Sequence, residues 1–217
     1  RRQLEAEYSG ERLKELLEKE GEYDENFWRI CREQGWTAIG IPEEYDGIGM
    51  GLVELGLIAE ACGSVACGAP FLNTSFGAAQ AILEYGDDDA RKSWLPRLAA
   101  GEAIGAVAFA EGLNMVPSTS EVRLSNGRLH GMKPAVSGGA HADVAVVLAQ
   151  GERGPVLALV PLDADGVSRV VLGTFDNSRN AADLTFDGAE AIVLDGAEDA
   201  REAAMDVLRR QAVVTAH

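Results

Sequence analysis

One change of texture, near Gly105, divides this chain into two kinds of sequence. Upstream, apolar residues recur at three- and four-residue spacing, as in the run from Leu52 to Cys62, which predicts helices. Downstream, short apolar or alternating runs such as DVAVVLA and PVLALVP are separated by turn residues, which predicts strands. Helices followed by strands favour segregated helical and antiparallel β domains over alternating βαβ units.

Local signals place the elements within this division. Ser9 and Asp24 are positioned to cap the first two predicted helices. Asn126-Gly127, between EVRLS and RLHG, is the strongest hairpin signal in the chain. We predict an α+β multidomain fold with three parts: an N-terminal helical domain (1–103), an antiparallel β-barrel or sandwich domain (104–195) and the start of a C-terminal helical domain (196–217).

Composition narrows the function classes. The net charge of -16 and the pI near 4.5 argue against nucleic acid or an anionic membrane as a partner, because both would repel the chain. No run reaches the ~20 apolar residues that a membrane span needs, and the opening RRQLEAE does not resemble a signal peptide. Cys31, Cys62 and Cys67 lie in apolar contexts and indicate buried free thiols in a reducing compartment rather than a disulfide framework. We therefore predict a cytoplasmic protein.

The three histidines show no spacing that would make a metal pair. His130, His141 and His217 also lack an accompanying serine or cysteine nucleophile motif. We interpret them as solvent-facing residues and predict no metal site.

The glycine-rich stretch GIPEEYDGIGMG, residues 40–51, has two interpretations. Gly47, Gly49 and Gly51 precede an apolar run, as glycines do in a phosphate-binding loop. A dinucleotide fingerprint, however, has a different glycine spacing and lies between a parallel strand and a helix, whereas helix-like sequence surrounds this stretch. We therefore predict a tight loop, in which side chains would clash or φ is positive.

Four segments, in this order, share the motifs of one known family: QGWTAIGIPEEYDGIGMGLVELGLIAEACG, GDDDARKSWLPRLAAGEAIGAVAFAE, GRLHGMKPAVSGGAHADVAVVLA and GTFDNSRNAADLTFDGA. They resemble the acyl-CoA dehydrogenase family, although Asp46 replaces the first glycine of the family's P-E-E-Y-G-G loop. The resemblance implies an FAD-dependent oxidoreductase of lipid metabolism that acts on an acyl-CoA. A carboxylate removes the α proton of the thioester while the flavin accepts a hydride from Cβ.

The resemblance implies a first flavin-contact segment where the chain enters its β domain. The family reads T-E-P where this chain has Ala110, Glu111 and Gly112, and the family's G-S-D motif is absent. We expect Phe109, Ala110 and Glu111 to form this cofactor-binding segment. Backbone contacts from Phe109 and Ala110 are expected to remain, and the Glu111 side chain is interpreted as structural.

A second flavin-contact segment is implied by the family motif G-x-K-x-W-I-S/T. Here the motif continues through Lys133, Val136 and Ser137, whereas Ala135 replaces the aromatic residue and cannot cover a ring face. Val136 and Ser137 are therefore expected cofactor-binding residues. Ser137 matches the hydroxyl that reaches the flavin's reactive edge; the alternative is a turn serine before Gly138.

Two other residues keep two interpretations each. Arg179 matches an arginine that the family often carries before its last strands, and is either a ligand contact or part of a structural salt bridge. Tyr45 is either a packing residue of the glycine-rich loop or an edge residue of an acyl pocket. Further substrate-binding residues are unassigned.

Family members continue into a four-helix C-terminal domain that supplies further flavin contacts, the oligomer interface and usually the catalytic glutamate. This chain stops inside what resembles the first of those helices, so no residue here matches the catalytic base, and we expect the isolated 217 residues to be inactive. Two hypotheses remain. One is a flavin-dependent acyl-CoA dehydrogenase, or a subunit of one, in a homo- or hetero-oligomer. The other is a non-catalytic subunit that has lost FAD and pairs with an active paralogue.

Overall fold

The computed structural model of the protein describes residue 4 and residues 10–19, 21–67, 70–174 and 176–215. The predicted cap Ser9 and the histidine His217 lie outside the described residues. The α-helices are α1 (Gly10–Leu17), α2 (Glu25–Glu33), α3 (Leu52–Gly63), α4 (Ala79–Tyr85), α5 (Asp88–Ala99) and α6 (Ala200–Thr215). Shorter helical turns are two 3₁₀ segments (Trp36–Ala38 and Glu43–Tyr45) and a π-helix (Asn73–Ala78) that leads into α4.

Of the two predicted helix caps, Asp24 is confirmed, and Ser9 stays a prediction. Asp24 caps α2, since its carboxylate accepts a hydrogen bond of 3.0 Å from the backbone N–H of Phe27. Asp87 caps α5 in the same way, through a 2.7 Å bond from the N–H of Ala90. Both carboxylates therefore satisfy N–H groups that the first helical turn leaves unpaired.

The strands form one eight-stranded sheet with the order β6-β7-β3-β2-β4-β5-β8, in which β1 pairs with β4 beside this path. Their bounds are β1 (Gly105–Ala108), β2 (Arg123–Ser125), β3 (Arg128–Ser137), β4 (Val144–Gly151), β5 (Gly154–Pro161), β6 (Val167–Leu172), β7 (Ala181–Glu190) and β8 (Ile192–Val193). The predicted change from helices to strands at Gly105 is confirmed, because β1 begins at that residue.

The predicted antiparallel pairing is correct for most of the sheet but not for all of it. β1 and β2 both pair with β4 in parallel, so the sheet is mixed. The β2–β3 hairpin lies between β1 and β4 in the chain and returns β4 in the direction of β1. That hairpin is confirmed: Asn126 and Gly127 have φ of 50° and 72°, the left-handed conformations that a tight two-residue hairpin turn requires.

The core lies on both faces of the sheet around β4. Residues Val144–Leu148 are all fully buried, and their side chains alternate between two apolar clusters. One cluster receives Phe27 of α2 and Leu55 of α3, and the other receives Leu95 of α5 and Val207 of α6. Burial on both faces explains why this strand reads as a continuous apolar run. The domain boundaries at 103 and 195 stay a prediction.

The glycine-rich stretch is a tight loop, as predicted. A Cβ on Gly47 would lie 1.8 Å from the carbonyl oxygen of Ile41, so only glycine permits this close approach. Gly49 has a φ of 71°, and Asp46, which stands where the family pattern has glycine, has a φ of 60°. Tyr45 is buried against the second apolar cluster, which supports its interpretation as a packing residue.

The three cysteines are free thiols, as predicted. The predicted burial is confirmed for Cys31 and Cys62 but is wrong for Cys67, which is half-buried just after the end of α3. Burial raises the pKa of Cys31, and the hydrogen bond with Cys62 raises the pKa of Cys67, so the thiolate form is disfavoured at both positions. Among the described residues, no helix is long and apolar enough to cross a membrane.

Candidate functional site

A cavity of about 450 Å³ lies between the helical segments and the ends of β3 and β7. Apolar side chains form part of its wall, among them Phe27, Leu72 and Phe76. Polar side chains form much of the rest: Asp24, Asn73, Ser137, Asp176, Ser178, Arg179, Asn180 and Gln211. Cavities of this size are typical of small-molecule sites, although this one carries more polar groups than most.

Ser137 reaches this cavity because β3 is irregular just before it. The register between β3 and β7 shifts between Lys133 and Val136, and Ala135 takes a φ of 48° while its N–H donates a 2.8 Å bond to Asp183. A bulge of this kind re-aims the side chains that follow it. As a result, Val136 is 4% exposed and points into the core, whereas Ser137 is exposed at the cavity.

The Val136 side chain therefore does not face the cavity, and its carbonyl oxygen already accepts a 3.0 Å hydrogen bond from the N–H of Gly139. The Ser137 hydroxyl oxygen accepts a 3.1 Å hydrogen bond from the side-chain amide of Asn73. Its own proton has no acceptor among the described residues. Ser137 thus presents one unused hydrogen-bond donor beside the cavity.

The turn after Ser137 is held in place by Arg169 of β6. Its guanidinium donates hydrogen bonds of 3.0–3.2 Å to four backbone carbonyl oxygens, those of Gly139, Ala140, Ala142 and Leu162. These bonds fix the turn from several directions at once. Arg169 therefore helps to fix the backbone immediately after Ser137.

The first predicted flavin segment is held by a buried ion pair. The side chain of Lys133 is 0% exposed, and its Nζ donates three hydrogen bonds. The acceptors are Oε1 of Glu111 at 2.5 Å, Oγ of Ser120 at 3.1 Å and the carbonyl oxygen of Phe109 at 3.2 Å. Glu111 also accepts bonds from Ser120 and from the N–H of Glu121. The segment from 109 to 121 is thereby tied to β3.

The pKa values of this pair follow from its surroundings. Burial lowers the pKa of Lys133, because the ammonium ion is removed from water. Burial also raises the pKa of Glu111, but the hydrogen bonds from Lys133 and Ser120 outweigh it and leave that pKa below its ordinary value. Glu111 is fully engaged in hydrogen bonds that join the 109–121 segment to β3, which supports its interpretation as a structural residue.

Phe109 and Ala110 differ in what they offer to a ligand. The side chain of Phe109 is buried and its carbonyl oxygen is already bonded to Lys133. Ala110 is half-buried, and its backbone N–H and C=O have no hydrogen-bond partner among the described residues. The backbone of Ala110 is therefore the part of this segment that is free to bind a ligand.

These observations fit a flavin at two points. Ala110 offers backbone groups that no described residue pairs, and Ser137 offers a hydroxyl donor, on the two segments that the family motifs assign to flavin binding. Ser137 lines the cavity of about 450 Å³, whereas Phe109, Ala110 and Glu111 do not. Ala135 does not replace the missing aromatic residue, since its methyl group cannot cover a ring. The residues present would thus hold the cofactor mainly by polar contacts.

The remaining predicted residues lie in different surroundings. Arg179 is exposed at the cavity, where no salt bridge joins it to a described residue. His130 is exposed, 3.9 Å from the carboxylate of Asp187. The prediction of a solvent-facing residue is wrong for His141, which is half-buried: its Nε2 lies 2.6 Å from the carbonyl oxygen of Gly21 and its ring packs edge-on against Tyr23. Among the described residues, no cluster of three or more His, Cys, Asp or Glu residues is arranged to hold a metal ion.

Sequence reasoning missed Asn73, Arg169 and the partners of Lys133. Lys133 belonged to a recognised motif, but its partner Glu111 lies 22 residues away. Asn73 is 64 residues from Ser137. No periodicity or spacing signals such contacts, because they exist only after the helices pack against the sheet.

Comparison with known proteins supports the same assignment. The family description "Acyl-CoA dehydrogenase, N-terminal domain" matches residues 2–102. Acyl-CoA dehydrogenase FadE12 of Mycobacterium tuberculosis is 32% identical over 164 residues, which cover 68% of this chain and 41% of that protein. The chain belongs to the acyl-CoA dehydrogenase family.

Solved structures of the family extend the match to nearly the whole chain. The Tcur3481-Tcur3483 steroid ACAD aligns with a TM-score of 0.85 and 30% identity, over 98% of this chain and 59% of that one. A glutaryl-CoA dehydrogenase from Mycobacterium smegmatis, in complex with FADH2, aligns with a TM-score of 0.76 over 87% of this chain and 52% of that one. Its identity of 24% shows the fold alone. The chain thus spans about half the length of the relatives it matches.

Proposed function

We propose that the protein is an FAD-dependent acyl-CoA dehydrogenase, or the FAD-binding subunit of one. The observation that carries the proposal is the unused hydroxyl donor of Ser137, which lies at the cavity where the family motif expects a flavin contact. Membership of the family supports the reaction class, α,β-dehydrogenation of an acyl-CoA thioester. FAD, when bound, supplies the hydride acceptor.

The chain's own residues have distinct roles in this proposal. Ser137 and the backbone of Ala110 bind the flavin. Lys133 and Glu111 hold the Ala110 segment against β3. Phe27, Leu72 and Phe76 line the apolar part of the cavity, which is suited to an acyl chain.

The base that removes the α proton is not assigned to any described residue. Glu111 does not suit that role, because it is engaged with Lys133, Ser120 and the N–H of Glu121. We therefore propose that none of these 217 residues is the base and that this chain alone does not turn over substrate. Measurable dehydrogenation of an acyl-CoA by the 217 residues, with an artificial electron acceptor, would contradict this.

The working context is also part of the proposal. We propose a cytoplasmic protein, because its cysteines are free thiols, and an assembly with other acyl-CoA dehydrogenase-like subunits, in keeping with the Tcur3481-Tcur3483 steroid ACAD to which the chain is similar. Size-exclusion chromatography with light scattering on the purified protein tests the assembly. A monodisperse monomer over a range of concentrations would contradict it.

A non-catalytic subunit is the second candidate, favoured by Ala110 and Ala135, which lack the hydroxyl and aromatic groups of the family motifs. The visible absorption spectrum of the purified protein, before and after addition of FAD, separates the two. A flavin band that survives gel filtration supports the dehydrogenase. A protein that remains colourless after reconstitution with FAD supports the non-catalytic subunit.

A further inference from the structure

Asn73 and Ser137 meet at the cavity although they belong to different parts of the fold. Asn73 is the first residue of the π-helix and Ser137 is the last residue of β3. The amide Nδ2 of Asn73 donates a 3.1 Å hydrogen bond to Oγ of Ser137. Both side chains line the cavity of about 450 Å³. This contact is thus part of the wall that a ligand in the cavity would face.

The local backbone is shaped to admit the Asn73 amide. Gly138, next to Ser137, has a φ of 75°, and a Cβ at this position would lie 2.8 Å from Nδ2 of Asn73. The positive φ favours glycine here, and any side chain at this position would displace the Asn73 amide. On the other side, Asn73 belongs to a π-helical segment, a rare conformation that is often found at functional sites.

The hydrogen bond has a polarity that decides what Ser137 can do. An amide NH₂ group only donates, whereas a hydroxyl has one donor and two acceptor positions. Because Asn73 occupies an acceptor position of Oγ, the Ser137 proton must point elsewhere. Among the described residues it finds no acceptor, so it remains available to a group in the cavity.

We propose that Asn73 is a positioning residue that orients the Ser137 hydroxyl as a hydrogen-bond donor toward the bound flavin. The inference rests on the proposed function, since it requires FAD at this cavity. It adds a residue from the helical part of the chain to the flavin-contact segments, and a specific direction to the Ser137 hydrogen bond. In this proposal Asn73 acts by donating a hydrogen bond to Ser137, and not by filling space in the wall of the cavity.

Two substitutions separate these roles. In Asn73→Ala the hydroxyl loses its orienting donor and rotates freely, so FAD binding weakens by about threefold. In Asn73→Asp the shape is kept but the polarity is reversed. The Ser137 hydroxyl then donates to the new carboxylate instead of the flavin, and FAD binding weakens by about tenfold or more. A space-filling role predicts the opposite order, with Asp closer to the natural residue than Ala.

The experiment is a double-mutant cycle on the full chain, read out as the FAD dissociation constant from quenching of flavin fluorescence. Asn73→Ala and Asn73→Asp are each measured with Ser137 and with Ser137→Ala. The control is Asn177→Asp, which introduces the same charge beside cavity residues Asp176 and Ser178 but does not itself line the cavity. It also removes a 2.8 Å hydrogen bond to the carbonyl oxygen of Leu17, a loss that the thermal unfolding of the apoprotein would report. Thermal unfolding of each apoprotein shows whether a loss of affinity follows from a loss of folding.

The expected result is the affinity order Asn, Ala, Asp at position 73 when Ser137 is present, and equal affinities when it is replaced. Equal affinities in both backgrounds, or an order that persists without Ser137, overturn the inference and leave the proposed function standing. A loss in the Asn177→Asp control equal to that of Asn73→Asp also overturns it, because charge alone would then explain the effect. If the natural protein binds no FAD, the proposed function fails and the inference fails with it.

Discussion

Replacing Lys133 by methionine removes the charge at the centre of the network that ties the Ala110 segment to β3. Methionine is similar in length to lysine and apolar, so the change removes polar contacts and leaves no large cavity. Three hydrogen bonds disappear, to Glu111, Ser120 and the carbonyl oxygen of Phe109. The carboxylate of Glu111, with its side chain 11% exposed, then stays behind without a counter-charge.

The size of the effect follows from that stranded carboxylate. Removal of one partner from a buried ion pair costs about 3–5 kcal/mol, because the other charge remains desolvated. Glu111 keeps its bonds from Ser120 and the N–H of Glu121, so we expect the lower end, about 3 kcal/mol. For a chain of this size the melting temperature falls about 2–4 °C per kcal/mol, which gives a decrease of roughly 6–12 °C.

The assay is thermal and urea unfolding followed by circular dichroism. Arg128→Met is the matched control, since Arg128 and Glu190 form an exposed pair on the same sheet, with side chains 50% and 77% exposed. Exposed pairs contribute about 0–1 kcal/mol, so the control should melt within about 4 °C of the natural protein. Equal losses in Lys133→Met and Arg128→Met, or a loss below about 1 kcal/mol in Lys133→Met, would refute the reasoning.

Three further predictions follow from the same structure. Gly47→Ala should destabilise the fold by about 2 kcal/mol or more, because its Cβ would meet the Ile41 carbonyl at 1.8 Å, whereas Gly56→Ala, with no atom within 4 Å of the new Cβ, should stabilise α3 by about 0.5–1 kcal/mol. Urea unfolding of the two variants checks this, and a similar sign for both would contradict it. Arg169→Lys should lower the free energy of unfolding by roughly 2–3 kcal/mol, since a lysine keeps the charge but cannot reach four carbonyl oxygens. Unchanged unfolding would show that these four hydrogen bonds do not stabilise the fold. The pKa of Glu111 is lowered in the folded state, so the ionised carboxylate stabilises the fold above pH 4.5, and this stabilisation is lost as the pH falls through the folded pKa. The difference in unfolding free energy between the natural protein and Glu111→Gln should therefore decrease from pH 7 to pH 3, as measured by unfolding.

The elements that could be predicted from the sequence depend on interactions between residues that are close together in the chain. Asp24 caps α2 through a residue three positions away, and Asn126-Gly127 sets the backbone of its own turn. Gly47 was recognised as a loop residue because glycine spacing is visible in the chain. In each case the interacting atoms lie within about six residues of each other, so the local sequence carries the whole signal.

The features that escaped prediction depend on contacts between distant segments. The parallel pairing of β1 with β4 joins Gly105 to Val144, and an intervening hairpin hides it from any local pattern. The half-buried position of His141 arises because a loop near Gly21 covers it. The wall around Ser137 depends on Asn73, which only tertiary packing brings near. Contacts between neighbouring residues thus allowed the helices and turns to be predicted, whereas the surroundings of Ser137 depend on tertiary packing.

The substitution Ser137→Ala distinguishes a turn residue from a flavin contact, because the two roles predict different effects on apoprotein stability and on FAD affinity. It is exposed, and its one side-chain hydrogen bond with a described residue is the 3.1 Å contact with Asn73, so Ser137→Ala should cost the apoprotein no more than about 1 kcal/mol. A hydroxyl that donates to a bound flavin contributes about 1–1.5 kcal/mol, so the same change should weaken FAD binding about tenfold. Calorimetric melting of the apoprotein and fluorescence titration with FAD measure the two quantities separately. Unchanged FAD affinity with a lower melting temperature would identify a turn serine, and the flavin would then have to be held without this hydroxyl.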